Sequence, residues 1–147
     1  MRRIERMGTS LERRLTRQLE RLDVGSVLVV RVLPRIVADW YGIVDDKSIT
    51  ISGRTRNYYS RGHPWLRDKH GEVIRTLLYP RQIVQDKANA NRVLFYRQSV
   101  EKLDVLVVVE IKKARGISHR VVTAFEVGQA EVARRKPMEH LLWEWVE

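Results

Sequence analysis

One histidine, His63, stands among arginines in a pattern that suits proton transfer beside an anionic group. An imidazole with an ordinary pKa of about 6.5 can accept or donate a proton at neutral pH. A guanidinium group held nearby stabilises negative charge that grows in a transition state. Arg61 precedes His63 by two residues, and Arg54 and Arg56 come slightly earlier. The alternative interpretation is a surface histidine in a basic loop.

Further candidates for binding follow His63 along the chain. Tyr96 lies in a strand-like run, where it could bond a phosphate or stack on a base, or else be a half-buried tyrosine of a sheet. Basic side chains that could follow a nucleic-acid backbone are Arg54, Arg56, Arg92, Lys112, Lys113, Arg115 and Arg120. Lys112, Lys113 and Arg115 fall in a predicted turn and would be exposed whatever the function.

Motifs for metals, nucleotides or an activated serine do not occur in the sequence. His70, His119 and His140 have no metal-ligand spacing with one another or with carboxylates, and no H-E-x-x-H is present. Walker, G-x-G-x-x-G and G-x-S-x-G patterns are also missing. We therefore expect no metal and no cofactor.

The charge of the chain favours a polyanionic partner. The net charge is +10, and arginines outnumber lysines by 21 to 7. The N-terminal residues 1–23 carry a net +3 and residues 126–147 a net −2, which leaves +9 on residues 24–125. The excess thus belongs to a domain surface more than to a tail, and guanidinium groups pair well with phosphates. A genome rich in arginine codons would explain the Arg/Lys ratio equally well.

Length and composition predict one cytoplasmic domain. The 147 residues include no cysteine, which excludes disulfides and thiolate metal sites. No apolar run reaches the roughly 20 residues that span a bilayer, so we expect no membrane partner.

A basic amphipathic helix is predicted over residues 1–24. Its narrow apolar stripe consists of Ile4, Met7, Leu11, Leu15, Leu19 and Leu22, with arginines on the other faces. Three roles remain open for this stripe: packing on its own domain, pairing with a partner or a second copy, or lying on an anionic surface.

The rest of the chain, residues 25–147, is predicted to be a single α+β domain. Short strands and helices come first, and a meander of antiparallel strands follows over Val93–Gln98, Leu103–Ile111 and Ser118–Phe125. The nearly all-apolar second of these is typical of a strand at the centre of a sheet. Thr123 is placed on one strand face with His119, Val121 and Phe125. Residues 127–147 are interpreted as a C-terminal helix whose aromatic end closes the core.

The segment order from Ile49 to Phe125 carries a resemblance. The run ITIS, then HP and a helix, then PRQIV, LFYRQS, LDVLVVVEI and HRVVTAF, resembles the phage-associated nuclease domains of the barnase–EndoU–colicin–RelE group. The similar region covers about residues 48–126. In many such sequences the helix before HP carries a His-Ile pair, where this chain has Tyr58 and Tyr59.

The resemblance implies a RelE/barnase-like fold with N-terminal helices packed on an antiparallel sheet, and a toxin-like or phage-derived activity. That activity is metal-independent endoribonuclease cleavage by attack of the 2′-hydroxyl, which yields a 2′,3′-cyclic phosphate. The resemblance points to His63 and to Thr123. The residue types make His63 the general acid/base and add Arg61 and Tyr96 as further catalytic candidates.

RNA is then the expected partner. An antitoxin or immunity protein, or self-association through residues 2–23, would add a protein partner. The alternatives are a non-catalytic nucleic-acid-binding or phage accessory domain, and a partner-binding module built on the N-terminal helix.

Overall fold

A computed structural model describes residues 9–99 and 101–146 of the chain. These residues form seven strands and five α-helices in an α+β arrangement. The helices are α1 (Ser10–Glu20), α2 (Arg35–Tyr41), α3 (Gly53–Gly62), α4 (His70–Leu78) and α5 (Gln129–Arg135). The strands are β1 (Val27–Val32), β2 (Ser48–Ser52), β3 (Gln82–Asp86), β4 (Arg92–Gln98), β5 (Asp104–Glu110), β6 (His119–Val127) and β7 (Glu139–Glu144). The predicted α+β class is confirmed.

The strands form one sheet in the order β1-β2-β6-β5-β4-β3-β7. Strands β3 to β6 pair antiparallel with their chain neighbours, so the predicted meander is confirmed. β2 and β6 are parallel, and their pairing covers only Ile49–His119 and Thr50–Arg120. β5 lies at the centre of the sheet, and Val105, Leu106, Val107 and Val109 are wholly buried there, because both of its faces are covered.

Helices cover the two faces of the sheet unequally. α1, α3 and α4 contribute buried side chains, among them Leu19, Tyr59 and Ile74, to the larger core cluster on one face. The opposite face carries a smaller cluster, to which α5 adds Val132. Within the described residues, no helix combines the length and the apolar character that crossing a bilayer requires.

α1 packs on its own domain. Leu15 and Leu19 are 5% and 0% exposed in the main core, and Glu12 of α1 accepts hydrogen bonds from Arg75 of α4 at 3.0 and 3.1 Å. The Thr9 side chain caps the first turn by accepting from the Glu12 N–H. Of the predicted stripe, Ile4 and Met7 lie outside the described residues, and Leu11 is 40% exposed. The described part of the stripe therefore takes the first of its three predicted roles.

A close backbone approach allows β2 to pass directly into α3. Ser52 caps α3 by accepting from the Thr55 N–H, and the Gly53 N–H donates to the Ser26 carbonyl. A Cβ atom on Gly53 would stand 2.1 Å from the Asp23 carbonyl oxygen, so only glycine fits this position. α3 therefore begins where β2 ends and continues alongside β6.

The C-terminal segment differs from its predicted helix. A helix is present at Gln129–Arg135, but a 3-10 turn at Lys136–Met138 follows, and residues 139–144 form β7, paired antiparallel with β3. The aromatic end was therefore wrongly interpreted as helical. Pro137 removes a backbone donor after α5, and the unpaired edge of β3 offers its main-chain hydrogen bonds to the residues that follow.

Gly53→Ala should destabilise the fold, because the added methyl group meets backbone atoms of Asp23 that have no room to move. We expect a loss of about 1–3 kcal/mol in the free energy of unfolding, measured by urea denaturation. Gly62→Ala at the other end of α3 is the matched control, because a Cβ there meets nothing within 4 Å. Equal stability of the two variants would contradict the close approach.

Candidate active site

α3 delivers His63 to an open stretch of the β6 edge. Because β2 pairs with β6 only through Thr50, the later part of β6 has no strand on that side, and α3 occupies the space. The Thr55 hydroxyl donates to the Val121 carbonyl at 3.4 Å near the start of this stretch. His63 ends α3, its N–H donating to the Tyr59 carbonyl at 2.8 Å, and Pro64 opens a 3-10 turn directly after it.

The His63 ring pairs with a carboxylate. Its Nδ1 lies 3.3 Å from Oε1 of Glu126, and the two side chains are 35% and 22% exposed. The other carboxylate oxygen of Glu126, Oε2, is buried and has no hydrogen-bond partner among the described residues. When Nδ1–H donates to Glu126, the neutral imidazole keeps its lone pair on Nε2, which is the arrangement of a general base.

An aromatic ring and an arginine complete the surroundings of His63. The His63 ring stacks on Phe125 with centroids 5.3 Å apart and an angle of 27° between the rings. The guanidinium carbon of Arg135, from α5, lies 5.1 Å from the Phe125 centroid. Phe125 and Glu126 leave the strand towards opposite faces, and His63 reaches both because it sits at the edge of the sheet. We call His63, Glu126, Phe125 and Arg135 the His63 cluster.

Thr123 shares a face with Phe125 but not with Val121. The β5–β6 register shifts after Val121, so that Val108 pairs with Thr123 while Val109 pairs with Val121. Val121 belongs to the helix-covered core, and Phe125 packs on the opposite cluster. The predicted common face was therefore wrong, because a β-bulge reverses the alternation. The bulge places Thr123 about 7 Å along the strand from Phe125, next to the His63 cluster.

Tyr96 lies away from His63 in the same row of the sheet. Tyr96 pairs with Leu106, and Leu106 pairs with Phe125. Two strand spacings, about 10 Å, therefore separate the backbones of Tyr96 and Phe125. Tyr96 is 2% exposed, and its hydroxyl donates to the carboxylate of Glu139. Burial, followed by this bond and the charge of Glu139, raises the pKa of Tyr96 far above its ordinary value. The Tyr96 phenol therefore stays protonated and acts as a hydrogen-bond donor to Glu139.

The basic residues of the β5–β6 turn lie at the other end of the sheet. Arg92, Glu110 and Arg120 form one row, which stands about 13 Å along β5 from the row of Leu106 and Phe125. Arg120 and Lys112 both pair with Glu110, at 3.3 and 2.5 Å. Lys113 lies over the Tyr41 ring at 5.8 Å, and Arg115 is exposed. These side chains can form a basic surface, but they do not converge on His63.

The arginines of α3 have different positions. Arg54 in the first turn and Arg61 in the last turn are exposed. Arg56 points into the protein, where its Nη1 donates to the Leu19 and Leu22 carbonyls at 2.8 and 2.6 Å. Arg56 thus satisfies the carbonyls at the end of α1, and its guanidinium is already engaged by the chain.

The other three histidines have different surroundings. Nδ1 of His70 is 2.6 Å from the buried hydroxyl of Tyr59, and burial lowers the pKa of His70. His119 is 0% exposed and accepts the Lys112 N–H on Nδ1, while the exposed His140 stacks on Trp40 at 4.8 Å. Of the four, His63 combines partial exposure with a carboxylate partner. Across residues 9–99 and 101–146, no three His, Asp or Glu side chains gather as a metal site would require.

Three members of the His63 cluster were not identified from the sequence. Glu126 lies 63 residues from His63, and Phe125 was considered as a neighbour of Thr123 on one strand face. Arg135 was one of two arginines in a predicted C-terminal helix. No local spacing links these residues, since the path of α3 along β6 brings them together.

Comparison of the chain with protein-family models, with curated proteins and with solved structures finds no match. The geometry of the His63 cluster is therefore the basis for a function.

Arg56→Ala should act on stability, because it leaves the carbonyls at the end of α1 without their donor. We expect the free energy of unfolding to fall by about 1–3 kcal/mol in urea denaturation. Arg54→Ala, which removes an exposed side chain from the same helix, should change it by less than about 0.5 kcal/mol. A stable Arg56→Ala variant with weakened RNA binding would instead make Arg56 a contact residue.

His119 should make the stability of the protein depend on pH. Burial, and then the charge of Lys47, lowers the pKa of His119 to about 4, whereas the unfolded chain titrates near 6.5. As pH falls from about 6.5 to 4, the unfolded chain binds this proton first, so stability falls through that window. Denaturation midpoints of His119→Gln should fall less steeply over the same range. Identical slopes for variant and wild type would contradict the assignment.

Proposed function

We propose that this protein is a metal-independent endoribonuclease, toxin-like or phage-derived, that uses His63 to attack RNA through its own 2′-hydroxyl. One observation carries the proposal: a partly exposed imidazole whose Nδ1 lies 3.3 Å from a mostly buried carboxylate, with Nε2 left to act on a ligand. A carboxylate in that position orients the ring.

The proposed reaction needs one proton acceptor at His63. Nε2 takes the 2′-hydroxyl proton while the 2′-oxygen forms a bond to phosphorus. The bond from phosphorus to the 5′-oxygen then breaks, and the products are a 2′,3′-cyclic phosphate and a 5′-hydroxyl. The leaving oxygen takes its proton from solvent, and His63 returns its proton to solvent.

Neighbouring side chains supply binding and charge in this proposal. Arg135 brings a cation to the Phe125 ring on which His63 stacks, where it can face the phosphate as negative charge grows. The next candidates to contact the substrate are Arg61 and Thr123. Arg61 is exposed in the last turn of α3, two residues before His63, and Thr123 is half-buried. Arg54 and the basic turn at Lys113 and Arg115 would guide the RNA backbone from a distance.

RNA binding without cleavage is the second candidate. A specific observation favours it: exposed basic side chains occur beside His63, as Arg61 does, and again at the row of Arg120, which lies about 13 Å along the sheet from the row of Phe125. A long polyanion can contact both places, whereas a single catalytic pocket needs only the first. Tyr58 and Tyr59 stand where many of the resembling domains carry a His-Ile pair, so a second histidine is missing there. Tyr58 is 59% exposed, and Tyr59 is buried with its hydroxyl 2.6 Å from His70.

The proposed partners follow from the substrate. Cellular RNA places the activity in the cytoplasm. An antitoxin, an immunity protein or a second copy of the chain remains a proposal for residues 2–23. In the described part of that segment such a partner would meet Leu11 and the exposed arginines of α1, because Leu15 and Leu19 are buried.

His63→Gln should abolish cleavage of a labelled RNA in the presence of EDTA, with a rate loss of about 100-fold or more. Glu126→Gln should lower the rate less, because it disturbs only the orientation of the ring. His140→Gln is the matched control, since it alters an exposed histidine on β7. The measurement is the yield of 2′,3′-cyclic phosphate ends.

The results separate the two candidates. Equal cleavage by His63→Gln and wild type would overturn the catalytic role of His63. Wild-type protein that binds the RNA but leaves it intact would favour the second candidate.

A further inference from the structure

A cavity of about 660 Å³ opens far from the His63 cluster. It lies between α2, the C-terminal end of α4, and strands β3 and β7. β7 is four strands away from β6 in the sheet, which corresponds to about 19 Å. The cavity has the size of a small-molecule site, and nothing in the proposed catalysis uses it.

Positive charge dominates the walls of this cavity. Four arginines line it, Arg31, Arg35, Arg81 and Arg97, against a single acid, Asp39. Asp39 is exposed and shares Arg35 with Asp46, each at 3.6 Å. Arg31 and Arg81 have no carboxylate partner among the described residues, so an anionic ligand would find positive charge at these two side chains.

Two of the arginines are fixed in place by the main chain. Arg31 Nη1 donates to the Leu77 and Leu78 carbonyls at 3.2 Å each, at the end of α4. Arg97 Nη1 donates to the Tyr79 carbonyl at 2.5 Å. Burial lowers the pKa of Arg31, yet a guanidinium remains charged at neutral pH. These side chains lose little freedom when a ligand arrives, so the positive wall is preorganised.

Aromatic surface lies directly beside this charge. The Arg81 guanidinium carbon is 4.5 Å from the centroid of the Trp145 ring, and Trp145 is 38% exposed. The backbone N–H of Trp145 donates to the Arg81 carbonyl at 2.9 Å, which fixes the backbone of both residues. The register of β3 with β7 shifts between Ile83 and Val84, and Trp143 then packs against the main core below.

Apolar residues form the remaining wall. Pro34 and Ile36, at the start of α2, face the cavity with the tryptophans, and Ile36 is 45% exposed. A planar heterocycle fits between such surfaces, because every base has a face that stacks on an aromatic ring. A ligand that suits both walls must be flat and apolar at one end and anionic at the other.

We propose that this cavity binds a nucleotide unit, with the base against Trp145 and Arg81 and the phosphate towards Arg31. The ligand is either a free nucleotide or one residue of a single-stranded RNA. The site does not depend on the proposed cleavage, because it shares no residue with the His63 cluster.

The test titrates the full chain with adenosine monophosphate and, separately, with a single-stranded RNA of about ten nucleotides, by calorimetry and by the indole N–H signals of the four tryptophans. We expect Trp143 and Trp145 to shift while Trp65 stays in place. Trp145→Ala and Arg81→Ala should each weaken binding about tenfold or more, because stacking on an aromatic ring contributes about 1–3 kcal/mol. Trp40→Ala, which changes an exposed tryptophan on α2 that does not line the cavity, is the matched control.

The two ligands distinguish the two sources. If the monophosphate binds, the cavity is a free-nucleotide site. If only the RNA binds, and Trp145→Ala abolishes that binding, the cavity is a subsite for a strand. The absence of Trp145 shifts with either ligand, or unchanged affinity in Trp145→Ala, would overturn the proposal. Cleavage is read from 2′,3′-cyclic phosphate ends and this site from the Trp145 shift with adenosine monophosphate, so failure of cleavage and failure of this site are separate results.

Discussion

The parallel pairing of β2 with β6 ends after two residue pairs, and the position of α3 and of His63 depends on that short contact. Beyond Thr50 the chain can no longer follow β6 as a strand, because Gly53 turns it into α3 against the backbone of Asp23. α3 then takes the position that a longer β2 would occupy, and its last residue meets Phe125 and Glu126.

Buried polar groups secure this junction from both sides. On the sheet side, His119 accepts the Lys112 N–H, and the Lys47 ammonium donates to the Ala114 carbonyl at 2.9 Å, which holds the turn after β5. On the helix side, Arg56 donates hydrogen bonds to the Leu19 and Leu22 carbonyls at the end of α1. Each of these interactions satisfies main-chain groups that would otherwise be left without partners, which costs more than an ordinary hydrogen bond contributes. Lys47 and Arg56 therefore use their positive charge to hold the main chain.

The periodic elements were predictable, and the irregular ones were not. The apolar run at β5 predicted a central strand, because it is set by its own residues. The segment with Leu142 and Trp143 was misassigned, since a bulge in β7 spoils strict alternation and the missing partner, β3, lies about 60 residues earlier. His63 was chosen as a candidate from its type and its neighbours. Glu126 could not be, because only the path of α3 beside β6 brings it within 3.3 Å.

The sheet order also constrains how the chain can fold. The β3–β6 meander consists of neighbours in sequence, whereas β2 must wait for β6, about 70 residues later, and β7 must return to β3 across three intervening strands. Contacts between distant parts of a chain form slowly, because the loop must close before they contribute stability. On a ribosome, the pair formed by His63 and Glu126 therefore cannot exist until the end of β6 has emerged. A chain released early, before residue 126, would carry the histidine without its carboxylate.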